Sequence, residues 1–468
     1  MHEIDQVIAS DMCVGCGACV FARPDLYAIE MNQAGNWQAR RRTEAADVAG
    51  TLSRLCPMSG TSRNETEIAG RLYPDLPADP QIGRYGSTFA AHVAEGEFRS
   101  RGGSGGLVSW ILAELFRRGE IDAVLHVKPV DPAGNGGLMF RYAISESVPE
   151  MMEGAKSRYY PIEMSGVLSR LNDTSKRYAL VGLPCFIKAI RLMQDEGVLP
   201  RDRIPFCLGL ICGHLKSRYF ADYLAWQKGA VPGSLAAFDF RRKLMGRPAS
   251  DYGFAYRQCE GPRAGAEAVW PMASVRGADW GEGLFKNAAC EFCDDVIAEC
   301  ADVAIGDAWL PDYVTDPLGT SVVVTRHPLM DRIIREGAER GAVVLGAADI
   351  AAVIASQSAG LRHRREGLAH RLARRRERGA WIPAKRVEPR LAPTLHRQQI
   401  YDARLKIAET SAAIYGQVVR AGRPLAAFER QMEPVLVRYR RAVFRDRYGW
   451  LGSYAKRILY RVQRLRRR

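Results

Sequence analysis

Between residues 82 and 358 short apolar runs of β type, Ala123-Val124-Leu125-His126-Val127, Tyr178-Ala179-Leu180-Val181-Gly182 and Val303-Ala304-Ile305, alternate with stretches of helical periodicity such as Leu107 to Arg118. Such alternation predicts an α/β body. Upstream, Leu26 to Met31 and Trp37 to Arg40 flank a turn containing Gly35 and predict a β-hairpin. Tyr73 to Pro80, punctuated by Pro74, Pro77 and Pro80, reads as a linker. Beyond about residue 360 the pattern is helix-compatible and rich in arginine, with breaks expected near Pro383, Pro389, Pro393, Pro424 and Pro434. The fold class expected is an α/β (α+β) body with a small N-terminal module and a basic, mostly helical C-terminal extension.

Composition narrows the class. With 47% hydrophobic and 25% charged residues among 468, the chain can bury large cores and is not a disordered polymer. No run reaches the roughly 18 apolar residues of a membrane span, and Met1 to Asp5 lack the basic-then-apolar layout of a signal peptide. A cytoplasmic protein is therefore expected, and in a reducing compartment its 11 cysteines suit metal or redox chemistry better than disulfides.

Cys13-Val14-Gly15-Cys16-Gly17-Ala18-Cys19 is the C-x2-C-x2-C run that wraps an iron-sulfur cubane. In bacterial ferredoxins the run continues x3-C-P, and that fourth cysteine serves a second cluster. Here Arg23-Pro24 stands in its place, so the missing thiolate must come from elsewhere, and Cys56-Pro57 supplies it. A 4Fe-4S cluster on Cys13, Cys16, Cys19 and Cys56 is expected, which makes the N-terminal part of the fold a ferredoxin-like iron-sulfur module. Zinc fits less well, because its structural sites use two separated cysteine pairs.

A second set is more dispersed. Cys290-Glu291-Phe292-Cys293 is a lone C-x2-C pair, while Cys185 and Cys212 each follow an apolar run that predicts a strand. A cysteine just past a strand end sits on the rim of a parallel sheet, where ligand sites gather. Cys185, Cys212, Cys290 and Cys293 thus make a second four-thiolate set for a 4Fe-4S cluster, with zinc as the alternative. Cys207 could replace Cys212, and Cys300 could join Cys290 and Cys293. Otherwise Cys207, Cys259 and Cys300 read as small buried side chains.

Gly102-Gly103-Ser104-Gly105-Gly106 runs directly into the apolar helix from Leu107. A glycine turn at a helix N-terminus offers free N–H groups to phosphate, although this one is neither a Walker A loop nor a Rossmann turn. A plain connector is the other reading.

Taken in order, the cysteine run, Ser104-Gly105-Gly106, Ala155-Lys156-Ser157-Arg158-Tyr159, Val181-Gly182-Leu183-Pro184-Cys185, Leu210-Ile211-Cys212-Gly213-His214, Phe240-Arg241-Arg242-Lys243, Cys290-Glu291-Phe292-Cys293 and Ala301 to Asp307 resemble the family of coenzyme F420 hydrogenase/dehydrogenase beta subunits. The resemblance implies FAD and iron-sulfur clusters in one oxidoreductase, with coenzyme F420 as an open possibility. It divides the chain into a 4Fe-4S module over 1–65, the family's N-terminal domain with the FAD loop over 82–175, its C-terminal domain with the second cluster over 176–358, and a basic extension over 360–468. It implies that Ser104, Gly105, Gly106, Lys156, Ser157, Tyr159 and Asp307 lie at the FAD. Lys156 and Arg158 read equally as surface charges, and Asp307 as a turn cap. No catalytic residue is assigned; His214 and Lys243 are weak candidates. An accessory electron-transfer subunit without its own substrate site is the alternative function, and a cluster-bearing nucleic-acid regulator is a third.

Charge separates the last region from the rest. Residues 361–468 hold 29 Lys and Arg against 8 Asp and Glu, a local +21, which leaves −6 on the preceding 360. Aromatic and aliphatic residues from Tyr439 to Leu465, among them Phe444, Tyr448, Trp450 and Tyr454, interleave the basic ones. Such a segment can lie on an anionic membrane at its inner face or steer an acidic ferredoxin or flavodoxin. Nucleic acid is disfavoured for want of a reading motif.

Overall fold

The computed structural model describes residues 3–43, 50–171, 175–261 and 263–465, the stretch 450–465 by its backbone alone. Its centre is an eight-stranded mixed sheet. In chain order the strands are β1 (Thr88–Val93), β2 (Ala123–Pro129), β3 (Phe140–Ser145), β4 (Tyr178–Gly182), β5 (Phe206–Leu210), β6 (Val303–Asp307), β7 (Ser321–Thr325) and β8 (Val343–Gly346). They lie side by side as β8-β1-β7-β6-β5-β4-β2-β3. The central four, β2, β4, β5 and β6, run parallel, and antiparallel strands flank them on both sides. Parallel strands need both faces covered, which is why β4 and β5 are almost continuously apolar and buried.

One face is covered by the helices Leu107–Arg117 and Pro328–Glu339, which bury Trp110, Ile111, Ile333 and Ile334 against β1 and β7. The other carries the helix Pro184–Asp195, whose Phe186, Ile187 and Ile190 share one core with Ile4, Val7, Leu52 and Leu55 of the N-terminal segment. The hairpin forms as Tyr27–Met31 paired with Trp37–Arg41. Tyr73 to Pro80 does not hang free: buried Tyr73 donates its hydroxyl to Asp302 at 2.9 Å, beside the Arg191–Asp302 ion pair at 2.7 Å.

A three-stranded antiparallel sheet, Leu235–Arg242, Gly253–Gln258 and Ala268–Pro271, stands apart from the main one. Its core is shared with the helices Tyr219–Trp226, Leu395–Arg420 and Leu425–Leu465 through Phe238, Phe254, Tyr223, Tyr415, Phe428 and Met432. The C-terminal helices are thus part of the body. Truncating fully buried Phe428 to alanine would cost about 3–5 kcal/mol. Pro434 does not break the last helix as its sequence suggests: it sits inside, where it forfeits one backbone bond while buried Met432, Leu436 and Tyr439 hold the helix down. The change of direction comes later, at Gly449, with φ +62°. Side chains from Trp450 to Leu465 and the terminal Arg466 to Arg468 lie outside the described residues, so the aromatic-basic pattern expected there is seen only up to Tyr448. Among the described residues no helix is long and apolar enough to cross a membrane.

Candidate functional site

The parallel strands aim their carboxyl ends at one edge of the sheet. β4 delivers Leu183-Pro184-Cys185, with Cys185 in the first turn of the following helix. β5 delivers Ile211-Cys212-Gly213-His214, and β6 ends on Asp307. Ligand sites belong at such a rim because the chain must turn there and expose backbone groups.

The N-terminal thiols come together below this edge. Cys13, Cys16, Cys19 and Cys56 lie close enough that ionising one disfavours ionising another. Gly15 and Gly17 permit the wrap: both have positive φ, and a Cβ on Gly15 would meet the Trp37 carbonyl at 2.5 Å. The Gly15 and Ala39 N–H groups point at Cys13 Sγ, each at 3.4 Å. Burial pushes the Cys56 thiol up to about 11.

Cys185, Cys212, Cys290 and Cys293 form a second such group. The short turn Ala288–Phe292, capped by Asn287, brings the C-x2-C pair to the rim cysteines. Leu215 N–H reaches Cys290 Sγ at 3.3 Å. Cys185 also feels Cys16, so the two groups are neighbours. Cys207 and Cys300 are buried among charged side chains and no cysteine is prominent around either. Cys259 departs from expectation: it is exposed, at the turn after Gly253–Gln258, with its thiol on the Ser234 carbonyl at 3.1 Å. All eleven cysteines are free thiols.

Arg364, from the helix Ser358–Glu377, closes the second group. Only 2% exposed, it donates to Cys293 Sγ at 2.7 Å, to the Cys212 carbonyl at 3.0 Å and to the Gly213 carbonyl at 2.6 Å. The thiols are its foremost opposite charges and hold its guanidinium firmly protonated. A buried guanidinium without a carboxylate in contact suits thiolates, the form a metal core enforces. Among the described residues no three His, Cys, Asp or Glu converge tightly enough for a single ion. Zinc bonded to sulfur at about 2.3 Å would need sulfurs roughly 3.8 Å apart.

Between the second thiol group and the glycine loop lies a cavity of about 850 Å³. At the loop end, Gly102, Gly103, Ser104 and Gly106 line it together with Lys156, Ser157, Tyr159 and Asp307. Gly106 has φ +84° and begins the helix without any side-chain cap, leaving first-turn N–H groups at the cavity. Gly105 does not line it: its N–H goes to Ser321 Oγ at 3.2 Å, and a Cβ there would meet the Ala91 carbonyl at 2.6 Å, so it faces the sheet. Lys156 holds a positive φ of 88°, strained for a side chain with a Cβ, and pairs with Asp239 at 2.5 Å. Arg158 is buried, with its guanidinium carbon 5.1 Å above the Phe140 ring, rather than solvated. Asp307 does not cap a turn through its carboxylate; it pairs with buried Arg241 at 2.8 Å, which also reaches the Gly103 carbonyl. Lys243 ties the carbonyls of Arg99, Ser104 and Leu318 beneath the loop, outside the cavity lining.

Aromatic rings carry the lining across. Tyr159 meets Trp280 at 4.6 Å, and Trp280 meets His214 at 4.5 Å, beside Cys212. Trp280, His363, Arg364 and Arg404 had no sequence signal: none stands in a motif, and three of them come from the extension. Much of that extension's charge points inward. Arg371 and His363 meet buried Glu291 at 3.1 and 3.0 Å, and Arg386 meets Glu65, Asp294 and Glu299.

Two family patterns match successive segments of the chain. The pattern for coenzyme F420 hydrogenase/dehydrogenase beta subunit, N-terminal part, matches residues 88–169, and that for its C terminus matches 175–350. An F(420)H(2) dehydrogenase subunit of Methanosarcina mazei is 22% identical over 220 residues, covering 45% of this chain and 56% of the relative. The coenzyme F420-dependent sulfite reductase of Methanocaldococcus jannaschii is 22% identical over 343 residues, covering 69% of this chain and 46% of the relative. The matches therefore span about half the length of these curated relatives. A chain from the F420-reducing NiFe hydrogenase complex of Methanosarcina barkeri superposes with a TM-score of 0.47 at 14% identity, over 68% of this chain and 99% of its own. With both parts of the pattern present in order over more than half its length, the chain belongs to the family of coenzyme F420 hydrogenase/dehydrogenase beta subunits.

Proposed function

We propose that the protein is an FAD-dependent iron-sulfur oxidoreductase passing electrons between a ferredoxin-like or flavodoxin-like carrier and an organic substrate or deazaflavin such as coenzyme F420. The observation that carries this reading is the placement of two neighbouring four-thiol groups, one of them beside a cavity large enough for a flavin. Cys13, Cys16, Cys19 and Cys56 would hold one 4Fe-4S cluster, and Cys185, Cys212, Cys290 and Cys293 the other. Gly103, Ser104, Gly106, Lys156, Ser157 and Tyr159 would hold the FAD. When bound, flavin exchanges an electron pair as a hydride equivalent on one side and single electrons on the other. Around it, Arg241 and Asp307 fix the glycine loop, and Tyr159 and Trp280 exclude water between loop and thiols.

Anaerobic purification with iron, sulfide, zinc and flavin analysis tests the reading. About eight irons and one FAD per chain are expected from two cubanes; a colourless zinc protein overturns it. A second reading is an accessory electron-transfer subunit, favoured by the Methanosarcina mazei relative, which is a subunit of a dehydrogenase. Turnover of candidate substrates by the isolated chain with reduced ferredoxin separates the two. A cytoplasmic location, with peripheral contact to an anionic membrane through the extension, belongs to the same proposal and is checked by fractionation. Nucleic-acid binding is disfavoured, since arginines such as Arg364, Arg371 and Arg386 are spent on internal partners.

A further inference from the structure

Basic side chains gather at the end of the cavity beside the second thiol group. Glu291 is contacted by Lys286, His363 and Arg371 together, at 2.7, 3.0 and 3.1 Å. Lys216, buried nearby, donates to the Leu284 carbonyl at 2.5 Å and lies against the rings of Phe220 and Trp280, with Asp279 the foremost negative charge it feels and no ion pair among the described residues. Arg404, from the helix Leu395–Arg420, reaches the same neighbourhood and has no carboxylate partner among the described residues. Arg364 is already committed to the thiols. Half-buried Arg404 lines the cavity, so its charge is open to an anion entering from outside.

Donors are waiting there as well. His214 and His363, 7% and 5% exposed, line the cavity, and His214 Nε2, His363 Nδ1 and Arg404 Nε have no hydrogen-bond partner. Buried polar atoms left in this state ordinarily mark a missing ligand or water. Trp280, against His214, gives an apolar wall between this end and Tyr159.

We propose that His214, His363 and Arg404 form a subsite for the carboxylate or phosphate of an anionic organic substrate, completed by helices that lie beyond the family's matched residues. It deepens the oxidoreductase reading by naming the substrate class, and it rests on that reading only for the reaction that follows binding. Two of the three residues come from the extension, so substrate choice is set largely outside the residues that the family pattern matches.

The full-length protein, purified anaerobically, is titrated with succinate and with inorganic phosphate while tryptophan fluorescence and thermal stability are followed; succinamide serves as the uncharged probe. Saturable binding of at least one anion is expected, with affinity at least tenfold weaker in Arg404→Met and in His363→Gln, partial recovery in Arg404→Lys, and no response to succinamide. Which anion binds separates a carboxylate from a phosphate substrate. Absence of saturable binding by either anion, or equal affinity in wild type and in a folded Arg404→Met protein, overturns the subsite. Should Arg404→Met fail to fold, Arg404→Lys and His363→Gln carry the same comparison, and unchanged affinity in both overturns it. Iron and flavin assays on the same samples keep the two proposals apart: a loaded protein that binds no anion refutes the subsite alone, whereas anion binding by a protein that takes up neither iron nor flavin refutes the redox reading alone.

Discussion

The two thiol groups differ in how they are built. Cys13, Cys16 and Cys19 stand within seven residues, and glycines with positive φ fold the backbone around them, while backbone N–H groups at 3.4 Å are the donors to Cys13. The second group takes one cysteine from each of two parallel strand ends and two from a distant turn, and its donors include a buried guanidinium from a helix outside the matched domains. A local site can be carried as a cassette. A site assembled from the sheet rim depends on the whole fold, and can be retuned from outside the family core.

The connection between the two groups should be the most sensitive point. Arg386 joins Glu65, which follows the first group in sequence, to Asp294 and Glu299 beside Cys293. Arg386→Met takes a partner from three buried carboxylates, leaving Glu65 with Lys188 at 3.2 Å and Glu299 with Arg365 at 3.8 Å, and should lower stability by about 3 kcal/mol in urea denaturation. Loss below 1 kcal/mol would show the two regions to be independent.

Arg364→Gln acts on the second group alone. Removing charge-assisted bonds from a buried arginine should cost about 2–3 kcal/mol. If the iron-sulfur reading holds, it should also move the second centre's potential downward in an EPR-monitored redox titration and leave the first centre in place, since positive charge and hydrogen bonds to sulfur favour the reduced state. Equal shifts in both centres would erase the contrast drawn between them.

His126 on β2 belongs to neither group and provides the control. Burial pulls it down to about 4, so in the fold it stays neutral between about pH 6.5 and 4 while the unfolded chain takes up a proton. Stability should therefore fall as pH drops through that window, by up to about 3 kcal/mol. In His126→Gln this component should vanish from a pH series of thermal melts, with the spectra of both centres unchanged. The smallest effect is expected at Arg40, whose exposed pair with Glu30 at 3.0 Å is worth roughly 0.5 kcal/mol or less. Arg40→Ala should leave melting, iron content and spectra as they were.

Legibility followed sequence distance. The hairpin, the central strands and the C-x2-C-x2-C run could be read because each is encoded within a few residues by apolar runs, turn glycines and spacing. Cys185 and Cys212 could be placed on the rim because each follows a strand directly. The antiparallel strands β1, β7 and β8 were not foreseen, since strand neighbours are chosen by which faces the helices can cover. Gly105 looked like its neighbours in the loop, yet its N–H turns to Ser321 because β7 passes beneath it.

The sequence by itself determined the inventory: which thiols are available, which runs become strands, and that the last hundred residues carry the excess of positive charge. Tertiary structure alone decided where that charge goes. In solution an arginine side chain is indifferent to residues 70 or 150 positions away, but the helix Ser358–Glu377, sharing a core with Phe292 and Val296, brings Arg364 onto Cys293, and the helix Leu395–Arg420, sharing one with Phe285 and Tyr223, brings Arg404 to the cavity's end. There Arg364, out of water, is matched by the thiols and half-buried Arg404 lines the cavity, and so the basic tail becomes part of the site.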